Sequence, residues 1–131
     1  LKALSSDEYD IVQAVAEALV LATKAGADPA KVRQALMGGA ASSIILENHG
    51  GRMLDGNFEP GFRAELQQKD LNVALSAARD LGVVLPLAAT AESLYNALNA
   101  RGKAKADHSA VVTVLEDLAN VSVGPRDGSA S

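Results

Sequence analysis

The sequence contains no cysteine and no tryptophan. Without a thiol there is no disulfide, no thiolate metal site and no cysteine nucleophile. Aromatic residues make up only 3% of the chain, confined to Tyr9, Phe58, Phe62 and Tyr95. Positive charge is also scarce: 12 Lys and Arg stand against 16 Asp and Glu, a net charge of −4. That balance disfavours nucleic acid and anionic membrane surfaces, which both need a basic patch. No run of about 18 apolar residues exists to span a bilayer. No charged-then-apolar leader pattern opens the 131 residues, and the expectation is a cytoplasmic protein. Sustained alternation of period two is missing as well, since "VSV" at 121–123 is too short to count. What remains is an all-α reading.

Ala, Leu and Val fill the space that aromatics leave, and such small side chains let helix backbones approach closely. At 131 residues, 48% hydrophobic and 21% charged, the chain has the composition of one soluble globular domain with a real core. Six helices in a compact bundle are expected. The first covers 5–26, with Ser5 and Glu8 at capping-box spacing and Gly26 as its stop. In "DPAKVRQALMGG" (28–39), Asp28 is the N-cap and Pro29 the first helical residue. A shorter helix over 42–54 is expected to break at Gly50-Gly51, and "DGNFEPGF" (55–62) reads as a loop. A helix from about 62 ends at Gly82, another follows Pro86 as far as Gly102, and a last one covers 106–121 with Asp107 or Ser109 as cap. Residues 122–131 have little to bury and are expected to be a disordered tail.

Few residues carry obvious chemistry. The paired glycines at 38–39 and 50–51 follow helices rather than a strand, so neither makes a dinucleotide fingerprint. His49 and His108 are far apart in sequence and lack neighbours at ligand spacing. Both read as helix-end or loop residues, and no metal site is expected. The acidic "DEYD" at 7–10 is what a helix macrodipole favours in a first turn. Ser42 and Ser43 precede an apolar run, which suits an N-cap or, alternatively, an anion contact at a helix start.

Lys69 lies in "PGFRAELQQKDLNVAL" (60–75). On a helical wheel Leu71, Ala74, Leu75, Ala78 and Leu81 form one apolar face, and Phe62, Leu66 and Val73 form a second on roughly the opposite side. Lys69 sits beside the second face, bordering a polar strip of Glu65, Gln68, Asn72 and Arg79. Spacing allows either a snorkelling surface lysine or one that reaches a ligand.

Three segments, "VAEALVLATKAGADPAKVRQALMGGAASS", "MLDGNFEPGFRAELQQKDLNVALSAARDLGVVLPL" and "ADHSAVVTVLEDLA", together resemble the C-terminal helical domain of the β-hydroxyacid dehydrogenases. The resemblance covers about residues 12–120. That family includes 3-hydroxyisobutyrate dehydrogenase and tartronate semialdehyde reductase (2-hydroxy-3-oxopropionate reductase), and the wording is closest to the latter branch. It implies a 6-phosphogluconate-dehydrogenase C-terminal-domain-like bundle over residues 11–121. In the family this domain follows an N-terminal Rossmann domain that binds NAD or NADP, lines the substrate cleft and supplies most subunit contacts. By resemblance, Lys69 matches the "KDL" lysine that helps hold the nicotinamide end of the cofactor. Phe62 matches an aromatic lining the same cleft, and Asp70 braces their neighbourhood.

Two departures accompany the match. The Rossmann half and its serine-glycine-glycine substrate loop do not occur within these 131 residues. The family's catalytic lysine, in a "K-x-x-N-Q" motif, would fall on Leu1, with the asparagine on Leu4 and the glutamine on Ser5. Lys2 is one residue out of register, a turn of about 100° on a helix, and does not inherit the role. Residues 1–10, "LKALSSDEYD", read as atypical or foreign sequence. The expectation is therefore an oxidoreductase domain that is inactive alone and assembles as a homo-oligomer. The competing readings are a free-standing helical dimerisation or partner-binding module and, more weakly, a small-ligand binder using Lys69 and Phe62.

Overall fold

The computed structural model describes residues 7–125. The Ser5 cap, the register at Leu1 and Lys2, and residues 126–131 of the expected tail lie outside the described residues. Six α-helices follow one another: α1 (Asp7–Lys24), α2 (Pro29–Met37), α3 (Ile44–Asp55), α4 (Ala64–Leu81), α5 (Pro86–Leu98) and α6 (Val112–Ala119). Among the described residues there is no strand, and no helix is long and apolar enough to cross a membrane. The fold is all-α.

Helix α1 is the axis of the bundle. Its buried Val12, Val15, Ala16, Leu19 and Val20 meet Ile45, Leu46 and Met53 of α3, Tyr95 and Leu98 of α5, and Val112 and Val114 of α6 in one core. Helix α4 packs mainly along α5, with Ala64, Leu71, Ala74 and Ala78 buried. Three of those four are alanines, which lets the two helices approach closely. Between them Gln68 joins the pair through polar contacts, donating to Glu92 Oε1 at 2.8 Å and accepting from Asn99 Nδ2.

Local stop and start signals act where they are read. Asp28 Oδ1 accepts from the Ala30 amide at 2.9 Å, and Ser43 Oγ accepts from the Leu46 amide at 2.9 Å, each satisfying an otherwise orphaned helix donor. Gly56 (φ 64°) and Gly82 (φ 69°) close α3 and α4 in the left-handed region.

Four expectations need correction. Helix α3 runs unbroken through Gly50-Gly51. A Cβ on Gly50 would lie 3.3 Å from Cδ of Arg33 and 3.5 Å from Val15, so that glycine serves a close approach and not a turn. Arg33 lies across α3 there, donating to the carbonyls of Leu46 (3.1 Å) and Glu47 (2.6 Å). Second, α5 stops at Leu98, and a π-type turn (Asn99–Lys103) carries the chain to Gly102. Third, the expected helix over 106–121 is a 3-10 turn (His108–Val111) followed by α6, because the Asp107 side chain caps it and ties it elsewhere. Fourth, residues 122–125 are packed: Val123 is buried and donates its amide to Glu116 Oε2 at 2.6 Å. A Cβ on Gly124 would stand 2.4 Å from the Leu54 carbonyl oxygen, so this end of the chain lies directly on α3.

Candidate functional site

The expected site residues lie on the loop 56–63 and on α4. Three sets of backbone bonds hold that loop against the segment before the 3-10 turn. The Asp107 amide donates to the Phe58 carbonyl at 2.9 Å, and the His108 amide to the Phe62 carbonyl at 2.8 Å. In the other direction, the Ala64 and Glu65 amides donate to the carbonyls of Ala106 (2.8 Å) and Ala104 (2.9 Å). Those two are first-turn donors of α4, which has no side-chain cap of its own. The start of α4 is therefore set by a segment some forty residues later in the chain.

Asp107 ties the arrangement together. Its carboxylate is fully buried, a costly state for a charge unless every lone pair is met. Oδ1 accepts from the amides of Gly61 (3.0 Å) and Phe62 (3.1 Å). Oδ2 accepts from the Ser109 amide (3.0 Å) and the Ser109 hydroxyl. Four donors on two oxygens fill the acceptor capacity of a carboxylate. Arg52 Nη1 and His49 Nδ1 stand further off, each at 3.9 Å.

The two histidines, read from sequence as unrelated, are in contact. Their ring centroids are 4.4 Å apart in an edge-to-face arrangement, and Phe62 stacks edge-on to His108 at 5.6 Å. Burial pushes His108 down to about 4, with the charges of His49 and Arg52 assisting and Asp107 opposing, so its imidazole is neutral at pH 7. For Asp107, burial works to raise the carboxyl, but the Ser109 hydroxyl and the Phe62 and Ser109 amides outweigh it and hold it below its ordinary 3.8.

His49, Asp107 and His108 place potential ligand atoms within 4.8 Å of one another. A metal there would have to displace donors already seated on Asp107 and accept the Arg52 guanidinium as a neighbour. Because those four donors already fill the acceptor capacity of Asp107, the cluster is poorly suited to an ion. One signal for this cluster was present in the sequence: "DHS" is an Asx-turn pattern. The partnership with His49 had none.

Lys69, in the second turn of α4, is exposed. It lines an open groove of about 780 Å³ with Gln68, Asn72, Val73 and Ser76, flanked by the carboxylates Glu65 and Asp80. Among the described residues Lys69 makes no ion pair. Phe62 and Asp70 are half-buried. Ser43 is used as a helix cap, and Ser42 is exposed beside it. The two expected apolar faces of α4 are buried to different extents, with Leu66 and Leu75 each half-buried. Leu71, Ala74 and Ala78 are buried, whereas Val73 of the second face is 51% exposed and Leu81 at the helix end is 78% exposed.

A profile described as NAD-binding of NADP-dependent 3-hydroxyisobutyrate dehydrogenase matches residues 11–115. The chain belongs to the 3-hydroxyisobutyrate dehydrogenase family. It is 56% identical over 109 residues to 2-hydroxy-3-oxopropionate reductase of Escherichia coli, covering 83% of this chain and 37% of that protein. It is 39% identical over 111 residues to a probable mitochondrial 3-hydroxyisobutyrate dehydrogenase-like protein of Arabidopsis thaliana, covering 85% and 33%. Among solved structures, 3-hydroxyisobutyrate dehydrogenase of Salmonella typhimurium superposes with a TM-score of 0.81 at 29% identity, over 86% of this chain and 40% of that one. The chain thus spans little more than a third of the length of these relatives. The named relatives are oxidoreductases, and the family uses NAD or NADP.

The titration of His108 has a definite sign. An unfolded chain takes up a proton at this residue near pH 6.5, which the fold refuses until about pH 4. The unfolded state binds more protons in between, so stability falls as pH drops through that window. Asp107 adds to the loss only below its ordinary value, as the fold gives up an ionised carboxylate. Urea unfolding is expected to show a His108 contribution of about 2 kcal/mol lost between pH 7 and pH 4.5. His108→Gln should remove that portion of the slope; an unchanged slope in this variant would contradict the assignment.

Proposed function

We propose that this chain is the helical cleft domain of an NAD(P)-dependent reductase acting on 2-hydroxy-3-oxopropionate or a similar β-hydroxy aldehyde acid. The observation that carries the reading is Lys69: a cation without an ion-pair partner among the described residues, on an open groove, in a chain 56% identical to a reductase of that substrate. A dinucleotide is an anion with a polar carboxamide end, and an exposed ammonium with three donors suits it. When bound, the nicotinamide supplies the hydride. Lys69 holds the cofactor's nicotinamide end, Phe62 gives that end an apolar wall that keeps water off, and Asp70 braces the turn beside Lys69. The proton donor of the reaction belongs to a family motif whose lysine position falls on Leu1 here, and the 131 residues alone are inactive.

A test joins residues 11–120 to the dinucleotide-binding half of the Escherichia coli reductase and follows NADH and NADPH oxidation with tartronate semialdehyde. The fusion is expected to turn over and the 131-residue chain is not. Lys69→Met in the fusion should raise KM for the dinucleotide roughly tenfold, the loss of one charge-assisted contact. Turnover by the isolated chain, or an unchanged KM in the variant, would count against the reading.

Association of copies is the second part of the proposal. The turn between α4 and α5 exposes Leu81 (78%), Val83 (53%), Val84 (81%) and Leu87 (68%) in close succession, a concentration of apolar surface that a partner subunit would cover. Sedimentation at high concentration should show a dimer or larger species that Val84→Asp with Leu87→Asp dissociates. A strict monomer of the unaltered chain would refute it.

A further inference from the structure

We infer that Asp107 is a positioning residue for the cofactor cleft: its buried carboxylate fixes where Phe62 stands and where α4, carrying Lys69, begins. This rests on reading Phe62 and Lys69 as cofactor contacts.

The geometry is unusually direct. Phe62 is held at its amide by Asp107 Oδ1, at its carbonyl by the His108 amide and at its ring by the His108 imidazole. Gly61 is held by the same Oδ1. All these partners come from two consecutive residues, 45 or 46 positions away in sequence. Upstream the loop is held by Phe58, which packs against the core, and by Arg52, which donates to the Glu59 carbonyl, but Gly61 is exposed and Phe62 only half-buried. Apolar burial therefore does not explain the order of Gly61 and Phe62. A fully buried carboxylate whose nearest cation, Arg52, stands at 3.9 Å is a poor choice for stability alone, because a neutral acceptor would avoid most of the desolvation cost. Its distinctive capacity is that one anion accepts from two successive loop amides and, on its other oxygen, from Ser109, so the loop and the 3-10 turn cannot move independently. Lys69 lies seven residues beyond Phe62, in the second turn of α4, and the first-turn amides of that helix dock on Ala104 and Ala106, just ahead of Asp107. Displacing the carboxylate displaces both proposed contacts together.

Amide hydrogen exchange on the 131-residue chain tests the positioning itself. Asp107→Asn is expected to speed exchange at Gly61 and Phe62 by at least about tenfold relative to core amides such as Leu19 and Leu98. Ser109→Ala, which removes one of the two donors on Oδ2 and is the milder change, should speed the same two amides by roughly threefold. If neither variant moves Gly61 and Phe62 selectively, or if their exchange only tracks global stability, the inference is overturned. The functional arm uses the fusion described above. Asp107→Asn should raise KM for the dinucleotide with kcat within about threefold, and should add less than its single-variant effect once Phe62→Leu is present, because coupled residues are non-additive. Effects that multiply in the double variant would overturn action through Phe62. A fusion indifferent to Phe62→Leu and Lys69→Met would instead sink the cofactor reading while leaving the exchange result standing.

Discussion

Four hydrogen bonds on one buried carboxylate hold together the end of this domain where the proposed contacts lie. Asp107 accepts from Gly61, Phe62 and twice from Ser109, and around it the loop before α4, the end of α3 and the start of the last helical segment converge. A charge buried this way is tolerated because neutral donors surround it, and the same donors hold it ionised. The neutral His108 imidazole then becomes usable as packing surface, with Phe62 on one side and His49 on another. The rest of the bundle, built on α1, is an apolar core that joins this arrangement through Tyr95, whose hydroxyl donates to the His108 carbonyl at 3.1 Å.

The local parts of the structure were readable from the sequence because their causes are local. Asp28-Pro29, Ser43 and Gly82 act within three or four residues of themselves, and capping rules find them. The failures have distant causes. Gly50 looked like a helix break because nothing nearby announces that Arg33 will lie across it. The last helix looked continuous because a bond from Asp107 to a loop 46 residues earlier leaves no periodic trace. His49 and His108 show the same limit for the site: each is a plausible helix-end residue alone, and only the fold makes them a pair. For Lys69, spacing placed it on a polar border, and the structure adds an open groove and exposure that neither periodicity nor charge count supplies.

Helix α4 has two characters, which explains why it carries the proposed contacts. Its inner face is mostly alanine and lies close on α5, locked by Gln68 and its partners. The outer face keeps Val73 and Lys69 in the open. A rigid inner face lets an exposed outer face hold its geometry, which suits the proposed role of that face as one half of a cleft. In that proposal the other half lies in the part of the relatives' length that this chain does not span.

The bond between the Asp107 carboxylate and the loop can be observed without any ligand. Scalar coupling across hydrogen bonds, from the Gly61 and Phe62 amide nitrogens to the Asp107 side-chain carboxyl carbon, reports those two bonds and nothing else. Both couplings should be present at neutral pH in the isolated chain. Their absence, with the fold otherwise intact, would mean that something other than Asp107 holds Phe62 in place.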